Sequence, residues 1–127
     1  MGMFCNQCEQ TANGVGCTIS GVCGKKPDVA ALQDLLLYGL KGISLYAAKA
    51  RELGAKDDAI DRFVIEGLFT TVTNVDFDAN RIEKDIRKAA TLRDRAKVLY
   101  ETHSVGKQGD TLADEFSAFG VHLYELE

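Results

Sequence analysis

The sequence lacks the features that would anchor the protein in a membrane, export it or attract it to nucleic acid. No apolar run reaches the roughly 18 residues that a membrane-spanning helix needs. The first residues, Met1 to Cys5, contain no charged region followed by an apolar stretch, so no secretory signal is visible. The net charge of -4 and the pI of about 5.2 give no electrostatic reason to bind nucleic acid or an anionic membrane. We therefore expect a cytoplasmic protein whose cysteines lie in a reducing compartment.

The sequence signatures of common enzyme classes are also absent. There is no Walker loop, no dinucleotide-binding glycine fingerprint and no Ser-His-Asp arrangement. The two histidines, His103 and His122, are far from each other and from every cysteine, which favours a helix-end or surface role over metal binding. Paired acids such as Asp57-Asp58 are explained better as helix caps than as acid–base machinery. We therefore assign no catalytic residue to this chain.

Cysteine is absent from every position after residue 23, and this absence concentrates the chemistry of the chain in one segment. The four cysteines, Cys5, Cys8, Cys17 and Cys23, follow the pattern C-x2-C-x8-C-x5-C. Thiolate is the ligand that selects zinc, copper(I) and iron–sulfur clusters. Residues 4–26 also contain several glycines and no sustained apolar periodicity, which predicts a loop. We name residues 4–26 the cysteine loop and its four thiols the candidate metal ligands.

Three kinds of site fit four clustered cysteines. A structural zinc site uses thiolates at about 2.3 Å, but it commonly contains two short C-x2–4-C pairs, and only Cys5 and Cys8 form one here. Two disulfides are disfavoured because no export signal is visible. An iron–sulfur cluster is larger and needs a loose, glycine-rich segment that lets backbone amides approach the sulfurs. The spacing favours the cluster over zinc and zinc over disulfides, and it leaves all three open.

Polar neighbours of the cysteines could adjust the charge of such a site. Lys25, Lys26 and the positive N-terminal end of the following helix are close in sequence to Cys23. They could offset the negative charge of a thiolate-bound cluster and so raise its reduction potential. A solvated loop explains the two lysines equally well. Further candidates for contacts to the ligands, or else simply exposed polar residues, are Gln7, Glu9 and Gln10.

The rest of the 127-residue chain predicts a single all-α domain. Apolar residues recur three and four positions apart from about 28 to 53, from 58 to 75 and from 78 to about 103. Pro27 suits the first turn of the first helix and Gly54 its end, while Asp57-Asp58 and Asp78 can cap the next two. We expect an antiparallel three-helix bundle over residues 27–103, with or without a short fourth helix over 111–126.

The same periodicity predicts which helical residues face inward. In the second helix the inward stripe comprises Ile60, Phe63, Val64, Gly67, Leu68, Thr71, Val72 and Val75. In the third helix the residues expected on a solvated face are Arg81, Lys84, Arg87, Lys88 and Arg93.

The residues around the cysteines resemble one protein family. Met3-Phe4-Cys5-Asn6-Gln7-Cys8-Glu9-Gln10-Thr11, Gly16-Cys17-Thr18 and Gly21-Val22-Cys23-Gly24-Lys25 closely resemble the N-terminus of the hybrid-cluster proteins, also called hydroxylamine reductases. The likeness continues through residues 31–36, 41–43 and 69–74, and it covers about residues 3–100. We expect residues 104 onward to depart from the family.

The resemblance implies a cofactor and a role. In that family the cysteines at these positions hold a 4Fe–4S cubane, so Cys5, Cys8, Cys17 and Cys23 would be its ligands. The family cubane passes electrons to a hybrid iron–sulfur–oxygen cluster, at which hydroxylamine is reduced. Because no cysteine follows Cys23, this chain would take up electrons but lack the reaction site. The implied partners are the remainder of a larger hydroxylamine-reductase-like protein, or an electron donor.

A second hypothesis is a helical structural or interaction module without a redox role, whose cysteines bind zinc or stay empty. The family domain normally packs against the rest of its chain, so we expect an exposed apolar face that could support a homodimer. The terminal residues Met1-Gly2 and Leu126-Glu127 resemble cloning remnants, which would place the natural start at Met3.

Overall fold

The computed structural model describes residues 2–73 and 76–105, which contain three α-helices. Helix α1 comprises Pro27–Glu52, α2 Asp58–Val72 and α3 Ala79–Ser104. A short 3-10 helix at Ala12–Gly14 precedes them, and the extended pairing within the described ranges is an isolated antiparallel bridge between Cys5 and Cys17. The all-α prediction, with the cysteines before the helices, is confirmed. The predicted fourth helix lies outside the described residues.

The helices begin and end at the residues that their sequences favour. Helix α1 begins at Pro27, whose missing N–H costs nothing in the first turn, and the chain leaves it through Gly54 at a φ of 86°. The carboxylate of Asp57 accepts a hydrogen bond from the Ala59 N–H at the start of α2. At the start of α3 the carboxylate of Asp78 accepts from the N–H groups of Asn80 and Arg81. Each side chain thereby satisfies N–H groups that a helix end leaves without a partner.

Helix α1 is the central element of the bundle. It packs along α3 and, over a shorter length, against α2, whereas α2 and α3 barely touch each other. The core cluster comprises Val29, Leu36, Leu40, Ile43, Tyr46, Ile60, Phe63, Ile82, Ile86, Ala89, Leu92 and Ala96. None of these residues belongs to the cysteine loop, so the described bundle core is built without the candidate ligands.

Two residues of the predicted inward stripe of α2, Leu68 and Val72, are exposed, and a third, Val75, lies outside the described residues. Leu68 is 38% exposed and Val72 63% exposed, and Ile65 and Phe69 beside them are exposed as well. The reason is the partner helix: only α1 covers α2 closely, at Ile60, Phe63, Gly67 and Thr71. We name Ile65, Leu68, Phe69 and Val72 the apolar face of α2. An open cleft of about 600 Å³ lies beside this face, between α2 and α3.

Arg93 is a further residue whose predicted position is wrong. It was expected on the solvated face of α3 with Arg81, Lys84, Arg87 and Lys88, which are exposed, but Arg93 is buried with only 4% of its surface accessible. Its guanidinium pairs with Asp94 at 2.6 Å. It also lies near Tyr46 of α1: burial raises the pKa of the Tyr46 hydroxyl, and the Arg93 charge acts in the opposite direction. The tight α1–α3 contact therefore encloses a charge that helical periodicity places outside.

The described helices include none that is both long enough and apolar enough to cross a membrane.

Candidate functional site

Backbone hydrogen bonds hold Cys5 and Cys17 together. The Cys5 N–H donates to the Cys17 carbonyl at 3.0 Å, and the Cys17 N–H donates back to the Cys5 carbonyl at 2.8 Å. One step outward, the Met3 N–H donates to the Thr18 carbonyl at 3.1 Å. This reciprocal pairing places Cys5 and Cys17 directly opposite each other although they are far apart in the sequence.

Cys8 stands at the start of a tight turn that returns the chain from Cys5 to Cys17. The Thr11 hydroxyl and N–H both donate to the Cys8 carbonyl, at 2.6 and 3.2 Å. The chain then turns through Asn13 and Gly14, at φ values of 54° and 68°. Such left-handed conformations favour Gly and, among other residues, Asn. The half-buried Cys8 is therefore fixed by the turn that returns the chain to Cys17.

Cys17 is the most buried of the four cysteines, with 5% of its surface accessible. The Ala12 N–H donates to its Sγ at 3.5 Å. Backbone hydrogen bonds from Ala12 and then Val22 lower the pKa of the Cys17 thiol; burial opposes them, and the charge of Lys25 adds to them. The thiolate, the form that binds metals, is thereby favoured. The Val22 contact also joins the Cys23 segment to Cys17.

Cys23 lies at the surface on a turn that requires glycine. The Gly21 N–H donates to the Lys25 carbonyl at 2.8 Å, and the Gly24 N–H donates to the Gly21 carbonyl at 2.9 Å. A Cβ at Gly21 would lie 2.9 Å from the Lys25 Cβ, closer than real Cβ atoms come, and 3.0 Å from the Cys23 Sγ. Because Gly21 has no side chain, the turn can close with the Cys23 sulfur beside it at the surface.

Lys25 is buried, so the solvated-loop explanation is wrong for this residue, while Lys26 beside it is exposed. The Lys25 Nζ lies 3.7 Å from the Cys5 Sγ and 3.1 Å from the Gln7 Oε1, to which it donates. It also lies 5.8 Å from the centroid of the Phe77 ring, in the turn between α2 and α3. The ammonium thus connects a candidate ligand to the helical bundle.

The structure brings all four predicted cysteines into one folded loop as free thiols. Their exposure is graded: Cys17 is buried, Cys5 and Cys8 are half-buried, and Cys23 is exposed. Within residues 2–73 and 76–105, no three His, Cys, Asp or Glu side chains are placed as a group to hold one metal ion.

Sequence reasoning missed the polar contact that fastens the α2–α3 turn to α1. The buried Gln33 Nε2 donates to the Asp76 carbonyl at 2.9 Å, whereas its Oε1 has no partner among the described residues. This contact holds the turn in which Phe77 approaches Lys25. The sequence offers only a weak signal for it, a glutamine on the apolar side of an otherwise regular helix.

Comparison with known proteins places the whole loop and bundle in one family. The model of the Prismane/CO dehydrogenase family matches residues 3–124. A hydroxylamine reductase from Geobacter sulfurreducens is 66% identical over 109 residues, which cover 86% of this chain and 20% of that protein. A hydroxylamine reductase from Thermosipho melanesiensis is 48% identical over 132 residues, covering 98% of this chain and 24% of that protein.

These matches revise the extent of the resemblance. We expected the likeness to end near residue 100 and the remainder to depart from the family, and that expectation is wrong because the family match continues to residue 124. The chain spans about a fifth to a quarter of the length of the relatives it matches. With the family model covering nearly the full sequence, the chain belongs to the Prismane/CO dehydrogenase family.

Proposed function

We propose that this chain is an iron–sulfur electron-transfer domain that binds one 4Fe–4S cluster through Cys5, Cys8, Cys17 and Cys23. The observation that carries the proposal is the loop itself, in which backbone N–H groups and a buried ammonium are directed at the cysteine sulfurs. Hydrogen bonds to the sulfurs and nearby charge are the means by which proteins stabilise such clusters and set their potentials.

The donor set and its surroundings fit an anionic cluster. Four thiols from one chain match the ligand requirement of a 4Fe–4S centre. The N–H groups of Ala12 and Val22 donate hydrogen bonds to the Cys17 sulfur, and the Lys25 ammonium lies beside the Cys5 sulfur. Gly21 leaves room beside the Cys23 sulfur. Each of these features reduces the cost of gathering negative charge in a partly buried loop.

A cubane supplies one-electron chemistry when bound, with no bond made or broken in a substrate. The chain's own residues determine where the electron can enter and how strongly it is held. The exposed Cys23, with the exposed side chains of Val22 and Phe4 in the same loop, marks the surface at which a donor could approach. Cys17 is buried in the loop, and the buried Lys25 lies on the side of the loop that faces the bundle.

The direct test is anaerobic reconstitution of the purified chain with iron and sulfide. We expect about four irons per chain and a broad charge-transfer absorption in the visible region. Two or fewer irons per chain would overturn the proposal, as would stoichiometric zinc without iron after anaerobic purification from cells.

The role of the domain in a longer protein follows by analogy with the relatives. Hydroxylamine reductases of this family are several times longer than this chain. We propose that the domain delivers electrons to a hybrid cluster whose cysteine ligands are not part of this sequence, since no cysteine follows Cys23. Its partners would be the remainder of such a protein and an electron donor, in the reducing environment of the cytoplasm.

A second candidate function rests on the apolar face of α2. Ile65, Phe69 and Val72 are each at least 60% exposed, and Leu68 adds to the same surface. Contiguous exposed apolar side chains mark protein–protein contact sites. The alternative is therefore an interaction module that forms homodimers through α2, with zinc or nothing at the cysteines. Light scattering coupled to size-exclusion chromatography would show dimers at micromolar concentration, whereas a clean monomer at all accessible concentrations would contradict this candidate.

The glycine at position 21 provides a test of the loop geometry. We expect Gly21→Ala to weaken cluster retention by one to two orders of magnitude, because the new Cβ meets the Lys25 Cβ and the Cys23 Sγ. Relieving such a contact costs about 1–3 kcal/mol. Iron released to a chelator over time measures the effect. Gly2→Ala is the control, since its Cβ would meet nothing closer than 3.8 Å; equal iron loss in both variants would contradict the geometry.

A further inference from the structure

Lys25 is a buried cation whose side chain points toward a candidate ligand. Only 1% of its surface is accessible, and its Nζ lies 3.7 Å from the Cys5 Sγ. The Gln7 side-chain oxygen accepts a hydrogen bond from the ammonium at 3.1 Å, and the Phe77 ring lies 5.8 Å away on the bundle side. Lysine is almost never fully buried unless a partner compensates its charge. Gln7 and the aromatic ring are uncharged, so these two contacts do not supply a full negative charge to the ammonium.

We propose that Lys25 is the residue that sets the reduction potential of this site, by holding its ammonium against the Cys5 sulfur. The proposal rests on the cluster function proposed above. Taking up one electron adds one negative charge to the cluster and its thiolates. A fixed positive charge in a dry environment stabilises the more negative state more strongly, which raises the potential. Lys25 is thus a positioning and tuning residue, while the four cysteines hold the cluster.

The adjacent lysine separates this role from a general effect of basic residues. Lys26 carries the same charge one position further along the chain, but it is exposed, so water and salt screen it. The sequence alone grouped the two lysines together. The structure divides them, because the left-handed turn at Gly24 and the start of α1 at Pro27 leave only Lys25 directed inward.

The carboxyl group of Asp34 also acts on the charge of Lys25, but it does not replace the Cys5 sulfur as the contact of the ammonium. Burial raises the pKa of the Asp34 carboxyl on α1, and the charge of Lys25 opposes that rise. Asp34 is exposed, so its counter-charge is partly screened by solvent. The sulfur of Cys5 remains the partner toward which the buried ammonium points.

The test compares Lys25→Met with Lys26→Met in the reconstituted chain by mediated redox titration. Both variants remove one positive charge, but only the first removes it from the buried position. We expect Lys25→Met to lower the equilibrium constant for one-electron reduction at least tenfold, a shift of about 59 mV to lower potential. Lys26→Met is expected to shift it by less than a third of that amount. Equal shifts in both variants, or no shift in Lys25→Met, would overturn the role of Lys25 while leaving cluster binding intact.

A second measurement separates charge from shape and does not depend on a loaded cluster. In the metal-free chain no cluster charge faces the ammonium, so the burial of Lys25 lacks the compensation that the proposal assigns to it. We therefore expect Lys25→Met to melt at the same temperature as the metal-free parent chain or higher. A lower melting temperature would assign Lys25 a packing role and contradict the proposal.

Lys25→Arg completes the set if Lys25→Met does not retain a cluster. A retained cluster in Lys25→Arg, with a potential near that of the parent chain, supports a role for the charge; loss of the cluster from both variants overturns it. A parent chain that takes up no cluster at all would refute the proposed function itself, a result that these variants do not mimic.

Discussion

Cys17→Ser is expected to abolish stable cluster binding, with iron falling from about four per chain to near zero after desalting. Cys17 is the buried member of the set, and its sulfur accepts backbone hydrogen bonds from both halves of the loop. A serine hydroxyl at this position stays protonated at neutral pH and is a poor ligand for iron in a thiolate site. Because the position is buried, a thiol from solution cannot reach it to replace the missing ligand.

The matched control is Ser20→Ala, an exposed substitution in the same loop that removes a hydroxyl and no sulfur. It should reconstitute like the parent chain, with the same iron content and visible absorption. Full iron content in Cys17→Ser, measured beside this control, would remove Cys17 from the ligand set.

Leu36→Ala is expected to destabilise the bundle by about 2–5 kcal/mol, because it leaves a cavity where α1 packs against its neighbours. Leu36 is fully buried at 0% exposure and belongs to the core cluster. For a domain of this size, 2 kcal/mol corresponds to a fall in Tm of roughly 8 °C. Thermal unfolding followed by circular dichroism of the metal-free chain measures the effect.

Leu45→Ala on the same helix is the control, because Leu45 is 39% exposed and lies outside the core cluster. It should change the free energy of unfolding by no more than about 0.5 kcal/mol. The comparison also tests whether the bundle folds without metal. Loss of all helical signal from the metal-free parent chain would show that the core depends on the cluster, contrary to a core cluster that contains no cysteine.

The helices could be predicted from the sequence because their signals are local. Pro27, Gly54, Asp57 and Asp78 act within one turn of the helix ends that they mark, and the structure places them there. The four cysteines could likewise be singled out, since their spacing is visible in the sequence alone. Their assignment as ligands remains a prediction.

The errors concern contacts between elements, which periodicity does not encode. The stripe on α2 was predicted as though a partner covered its full width, but α2 and α3 barely touch, so Leu68 and Val72 are exposed. Arg93 was placed outside by its type, yet the α1–α3 contact buries it. The sequence does not distinguish Lys25 from Lys26, because their directions depend on the turn at Gly24.

We propose that the cysteine loop holds a cluster that takes up and releases one electron. Coulometric titration of the anaerobically reconstituted chain tests it most directly, with iron and sulfide determined on the same sample. We predict uptake of about one electron per chain, reversible on reoxidation, at about four irons and four sulfides. A sample that binds metal stoichiometrically but takes up no electron, as zinc would because it has no redox chemistry, would contradict the account.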